Sequence, residues 1–366
     1  MSKIIPFIKK EAILFIAAVF ACISMIFIPP DVQYFSYIDY SVVGILFCLM
    51  IVVAGLKKLG VFIFLSQRLL NKTKSLRFLS ALLVNCVFIC SMFMTNDVAL
   101  ITFVPITIGI FALSGHKKLI FTVVMETLAA NLGSMLTPIG NPQNLYIYSF
   151  YQLNILSFFK YVLPVGAIGY MIIMGLILVS QNGRIDVTLG RNVELESLKK
   201  PLLYYAVLFL LCVMTVLHFI DFRICFLIIL ASALIVDREL LKEADYSLLL
   251  TFVCFFVFVG NLERINSVKN ALSLFLQGRV FLVSVLSSQV ISNVPASMMI
   301  SHFTTDVRQI LLGVNIGGLG TPVASLASLI SFKLYSRSEG SAPSKFLGAF
   351  TIYNISILFV LSAIFA

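Results

Sequence analysis

Two passages of this chain carry nearly the same residues. Asn131-Leu-Gly-Ser-Met-Leu-Thr-Pro-Ile-Gly-Asn-Pro-Gln-Asn144 recurs 184 residues later as Asn315-Ile-Gly-Gly-Leu-Gly-Thr-Pro-Val-Ala-Ser-Leu-Ala-Ser328, with Asn, Gly, Thr and Pro at the same four places. Each interrupts an apolar segment with helix breakers and small polar groups. A broken helix leaves carbonyls free at one half-helix end and N–H groups free at the other. Carbonyls together with Asn, Ser and Thr oxygens suit a small hard cation. N–H groups at a half-helix N-terminus, the positive end of its dipole, suit an anion. At membrane depth such backbone is tolerated only where protein buries it or a cavity takes it in. Paired interruptions in corresponding halves point to the binding site of a secondary transporter.

Asparagines at two further breaks extend the pattern: Thr95-Asn96-Asp97 and Ser292-Asn293-Val294-Pro295. An amide offers donor and acceptor together. The candidate binding residues are therefore Thr95, Asn96, Asp97, Asn131, Gly133, Thr137, Gly140, Asn141 and Asn144 in the first half. In the second half they are Ser292, Asn293, Asn315, Gly317, Thr321 and Ser325. Candidate sodium positions are near Asn96 and Thr137 and near Asn293 and Thr321. The blander roles are local: each Asn can cap the helix after it, each Thr-Pro can start a half-helix, and each Gly can serve helix packing. Asp97 and Glu126 are ionisable groups inside apolar segments, costly there and candidate proton carriers. Cys86 and Cys90 share a helical face but read as small apolar residues.

The elements that must hold these residues are membrane helices. Apolar residues make up 60% of the 366 and charged ones 11%, against roughly 25% charged in soluble domains. The reading is an all-α polytopic membrane protein. Spans are expected at 12–29, 40–56, 119–150, 158–180, 202–219, 222–237, 246–260, 307–335 and 345–366. Of these, 119–150 and 307–335 are broken helices. Residues 77–113 and 278–303 read as re-entrant hairpins, the arms of the second being too short to cross. The first half covers 1–180, a polar cytoplasmic linker 181–200, and the second half 201–366.

With the N-terminus in the cytoplasm and the C-terminus outside, 20 Lys/Arg fall on inner loops and 6 on outer ones, a positive-inside bias. The net charge of +10 then reflects orientation in a cell membrane, and no nucleic-acid partner is expected. The order span, hairpin with Asn tip, broken helix, span occurs twice, with an odd number of crossings between. The second unit is therefore upside down: an inverted-topology repeat.

These residues resemble the ion transporter superfamily, in the branch of arsenite efflux pumps, sodium/proton antiporters and citrate-transporter-like proteins. Met94-Thr-Asn-Asp-Val-Ala-Leu is similar to the Asn-Asp hairpin tip of the arsenite pumps. Residues 131–144 resemble the Asn-x-Gly-Gly … Ile-Gly-Asp-Pro-Pro-Asn signature of the antiporters. Ser292-Asn-Val-Pro and Gly320-Thr-Pro-Val-Ala-Ser-Leu-Ala-Ser328 are similar to the second-half motif of the arsenite pumps. The resemblance implies an elevator movement of the hairpin body against a scaffold, often in a homodimer. Relatives that carry dicarboxylates place Ser-Asn-Thr at both tips, where this chain has Asp97 and Val294 in third place. Asn141 stands where the antiporter signature has an acid.

The expected function is a secondary active transporter of a small anion or weak acid (carboxylate, oxyanion or metalloid), coupled to H+ or Na+, with no other cofactor. The alternatives are an ion channel, or a Na+/H+ antiporter without organic substrate. An intramembrane enzyme is not expected. The chain lacks His-Glu-x-x-His, a Gly-x-Ser-x-Gly elbow and a matched pair of intramembrane aspartates.

Overall fold

In a computed structural model, residues 11–61, 75–111, 116–183 and 195–366 are described. The basic segment 1–10 and most of the linker read at 181–200 lie outside them. All regular structure among the described residues is helical.

The first half contains α1 (Ala12–Phe27), the short α2 (Tyr34–Tyr37), α3 (Tyr40–Lys58), α4 (Leu76–Ser91), α5 (Asn96–Phe111), α6 (His116–Ser134), α7 (Pro142–Phe150) and α8 (Ile155–Val179). Next come α9 (Leu195–Val216), α10 (Phe222–Val236), α11 (Leu240–Glu243) and α12 (Tyr246–Arg264). The chain closes with α13 (Asn266–Leu276), α14 (Val280–Ile291), α15 (Asn293–Ser301), α16 (Val307–Gly317), α17 (Leu326–Ser336) and α18 (Pro343–Phe365).

The helix ends follow from local chemistry. Asp39 accepts from the N–H groups of Ser41 and Val42 to open α3, and Lys57 and Lys58 occupy its last turn. Asp245 accepts from Leu248 N–H to open α12, which ends on Arg264. Acid caps at the start and cations at the end both favour the helix dipole. Asp221 and Asp306 cap α10 and α16 in the same way. Four helices (α3, α8, α12 and α18) are long and apolar enough to cross a bilayer alone. The apolar parts of α1, α9 and α10 are shorter. Large apolar side chains such as Ile26, Leu156, Val179 and Ile235 face outward, which is a lipid-facing surface rather than a defect of burial.

The packing carries the repeat. α4 lies on α6 and α14 on α16; α5 also lies on α6, and α15 on α16. So each hairpin clasps the first part of its own broken helix. Several contacts cross between halves in matched pairs. α1 packs on α12 and α10 on α3; α6 packs on α18 and α8 on α16; α5 packs on α17 and α15 on α7. In these pairs an element of one half meets the counterpart of its neighbour, as a two-fold axis between inverted halves requires. Three elements were not anticipated from the sequence: the single-turn α2 and α11, and α13, a short amphipathic helix that meets α14 at 110°.

The first hairpin has two arms of 16 residues each. At ~1.5 Å per residue each reaches ~24 Å, short of a hydrocarbon core of about 30 Å. The arms of the second have 12 and 9 residues. Both arms of the first are longer than those of the second.

Candidate functional site

The two sequence interruptions are interruptions in space. α6 stops at Ser134 and α7 starts at Pro142; α16 stops at Gly317 and α17 starts at Leu326. Each hairpin tip docks on the break beside it by the same bonds. Asn96 N–H donates to the Gly140 carbonyl at 3.3 Å, and Asn293 N–H to the Ala324 carbonyl at 2.9 Å. Thr137 Oγ1 donates to the Met92 carbonyl at 2.5 Å, and Thr321 Oγ1 to the Gln289 carbonyl at 3.2 Å. Gly140 and Ala324, like Thr137 and Thr321, are 184 residues apart; Asn96 and Asn293, like Met92 and Gln289, are 197 apart. One geometry has been built twice.

Glycine makes the docking close. A Cβ at Gly133 would stand 2.2 Å from the Phe88 carbonyl oxygen, and one at Gly317 would stand 2.8 Å from Ser288 Cβ. A Cβ at Gly140 would stand 2.2 Å from the Ser134 carbonyl. Ser292, buried at the second tip, has φ +74°. It donates through Oγ to the Ala324 carbonyl at 3.3 Å. A non-glycine residue in this region is strained backbone held in place by its surroundings.

At the centre the halves exchange asparagines. Asn131 Oδ1 accepts from Asn96 Nδ2 at 3.1 Å and from Ser325 Oγ at 3.0 Å. Its Nδ2 donates to Ser328 Oγ at 3.5 Å. Reciprocally, Asn315 Oδ1 accepts from Asn141 Nδ2 at 3.2 Å, and Asn315 Nδ2 donates to Asn144 Oδ1 at 2.6 Å. Ser325 and Ser328 are the repeat counterparts of Asn141 and Asn144. Each broken helix therefore sends its first-arm asparagine across to the opening turn of the other's second arm. All seven of these side chains are buried. Among the described residues, no Lys or Arg is a hydrogen-bond partner of theirs.

Of the candidates, Asn96, Asn131, Asn141, Asn144, Asn315 and Ser325 form this network, and Gly133, Gly140, Gly317, Thr137, Thr321, Ser292 and Asn293 frame it. Thr95 is half-buried at the first tip. Asp97 lies beside the network; its Oδ1 is buried without a hydrogen-bond partner. Glu126 is wholly buried one and a half turns before Asn131. Its Oε1 accepts from Thr107 Oγ1 on α5 at 2.5 Å, and its Oε2 has no partner. The polar face of α6 continues through Thr122, bonded to Ser80 at 2.8 Å, to Lys118, bonded to Ser180 at 2.8 Å.

The donor set suits hard ligands: oxygens of amides, hydroxyls and main chain, with no thiolate or imidazole among them. The break carbonyls already accept protein donors, Met135 and Thr137 from Asn144 Nδ2 and Gly317 from Gln289 Nε2. Sequence reasoning missed Ser328, Ser134, Thr107 and Gln289. The 184-residue spacing from Asn144 marks Ser328; nothing in the sequence marks the others. His302 pairs with Glu263 at 3.1 Å and His218 stacks on Tyr148, both away from the network.

A family model described as a citrate transporter matches residues 4–309. An uncharacterized transporter of Methanocaldococcus jannaschii is 32% identical over 306 residues, 82% of this chain and 83% of that protein. The inner membrane protein YbiR of Escherichia coli is 28% identical over 300 residues, 81% of this chain and 80% of that one. A silicon efflux transporter of Oryza sativa subsp. japonica is 31% identical over 130 residues, 36% of this chain and 27% of its own length.

Proposed function

As the chain belongs to the citrate transporter family, we propose that it is a secondary active transporter of a small anion or weak acid, with the crossed asparagines as its binding centre. The reciprocal bonding of Asn131 to Ser325 and Ser328, and of Asn315 to Asn141 and Asn144, carries this reading. A centre shared by two inverted halves can open to either side while its ligands stay fixed. Amides and hydroxyls without a basic side chain favour a polyhydroxylated weak acid over a trianion. The hydroxyl-free third tip positions, Asp97 and Val294, point the same way, and the name of the rice relative is compatible with such a substrate. Alternating access is of the elevator type, the hairpins and broken helices moving as one body.

Counterflow of labelled substrate in proteoliposomes tests this, with citrate, arsenite and silicic acid offered in turn, with and without sodium. Saturable counterflow of at least one is expected. Conduction that never saturates and shows no counterflow would favour a channel.

The proposed coupling ion is a proton carried by Glu126. A carboxylate at membrane depth with one hydroxyl partner is costly, and protonation removes the cost. Thr107 ties Glu126 to the moving hairpin. Glu126→Gln, locked in the neutral shape, is expected to retain substrate exchange while losing uptake driven by a pH gradient. Equal gradient-driven uptake by Glu126→Gln and the wild type would remove Glu126 from the coupling path.

A further inference from the structure

The two halves dock their hairpins by the same bonds but close their breaks differently. At the second break, the carboxamide of Gln289 stands between the ends of the broken helix. Its Nε2 donates to the Gly317 carbonyl, the last of α16, at 2.6 Å, and its Oε1 accepts from Thr321 N–H at 2.8 Å. Its own main-chain carbonyl takes the Thr321 hydroxyl. Space has been kept for it: a Cβ on Gly320 would fall 1.8 Å from Gln289 Oε1. The first-half counterpart is Met92, whose thioether has no N–H to give. There the break is closed by Asn144, whose Nδ2 takes the carbonyls of Met135 and Thr137. The counterpart of Asn144 is Ser328, too short for that task and bonded across to Asn131 instead.

We propose that Gln289 is the positioning residue of the second half of the binding centre. It replaces the helical bonds missing across 318–325 and so fixes where Ser325 and Ser328 stand against Asn131. Hairpin and break thereby move together as one piece. The claim rests on the crossed asparagines being the transport site, and deepens that reading: it names an element acting through Ser325 and Ser328 without touching substrate.

The geometry supplies a double-mutant cycle. Gly320→Ala expels the carboxamide, and Gln289→Ala removes it. Each single variant is expected to raise the half-saturation concentration for counterflow of the transported weak acid about tenfold, the scale of one lost buried partner, with the maximal rate less affected. In the double variant the three atoms nearest the added methyl, all in the Gln289 carboxamide, are gone, so the loss should be no greater than that of the worse single. Contacting residues couple in this way, and independent ones add. Additive losses, or singles within about twofold of the wild type, would overturn the proposal. If Gln289→Ala does not fold, Gln289→Ser, which likewise leaves Gly320 clear of the carboxamide, takes its place under the same criteria. The cycle is also read on the thermal midpoint. If the wild type exchanged none of the offered acids, the transport reading would fall, while non-additive midpoints would still establish the splint.

Discussion

Asn131→Ala and Asn315→Ala are each expected to abolish substrate counterflow while leaving a folded, monodisperse protein. Asn131→Ala strips acceptors from Asn96 and Ser325 and a donor from Ser328. Asn315→Ala strips an acceptor from Asn141 and a donor from Asn144. Each orphaned buried group costs about 1–3 kcal/mol, so a centre built from several loses its geometry at once. The fold survives, because the hairpins remain docked through main-chain bonds and threonine hydroxyls that neither change touches. The two-fold arrangement adds a sharper expectation: both variants should fail to the same degree, since they break the same crossing from opposite sides. Counterflow by the two purified variants, beside their elution profiles, checks this. Wild-type exchange by one of them would mean that only half of the crossing matters.

The largest stability effect is expected at Gly133→Ala. The added methyl would meet the Phe88 carbonyl oxygen at 2.2 Å and Ser91 Oγ at 2.4 Å. The first obstacle is backbone, so no rotamer change relieves it and α4 must move away from α6. Overpacking of this kind costs about 1–3 kcal/mol, and the upper end is expected because the hairpin is displaced as a unit. Gly317→Ala meets Ser288 Cβ at 2.8 Å and Ser288 Oγ at 2.9 Å, both side-chain atoms. It should cost less and be relieved by Ser288→Gly. Ser91→Ala should not relieve Gly133→Ala, since the carbonyl stays. Gly175→Ala, with nothing within 4 Å of the new methyl, is the control and should match or exceed the wild type. Thermal midpoints of the five variants in one detergent rank these effects. A Gly133→Ala protein as stable as the Gly175→Ala control would mean that hairpin and broken helix are not in such close contact.

Much of this arrangement was legible because membranes penalise free backbone so heavily that a break must be written in Gly, Pro, Thr and Asn. The matched passages at 131–144 and 315–328, and the asparagines at 96 and 293, gave the all-helical class, the repeat and the breaks. What was not legible was the crossing. Asn131 reaches Ser325 and Ser328 rather than staying within its own half, and spacing along a chain cannot say which half a side chain faces. Gln289 was invisible for a related reason: it sits in the apolar run of α14, its counterpart is Met92, and its task exists only once Gly320 leaves room. Thr107 becomes informative only when α5 lies against α6. The amphipathic α13 escaped notice because eleven residues of mixed polarity are too few to read as a span and too apolar to read as a loop.

The resident asymmetry has a physical sense. Both breaks need an amide to complete them, and the chain draws one from α7 and the other from α14. The two hairpin-and-break units are thus tied internally in two different ways, while the contacts between them run through the same crossed pair. On the proposed reading, substrate would enter by parting the crossed amides, so the resting bonds among amides and hydroxyls are what the cargo would replace.

The most direct test is a density map of the protein in lipid nanodiscs with the weak acid that it exchanges. The account predicts ligand density between Asn131 and Asn315, flanked by Ser325, Ser328, Asn141 and Asn144, with those side chains turned from one another toward it. Ligand density at another place, with the crossed amides still bonded as they are here, would contradict it.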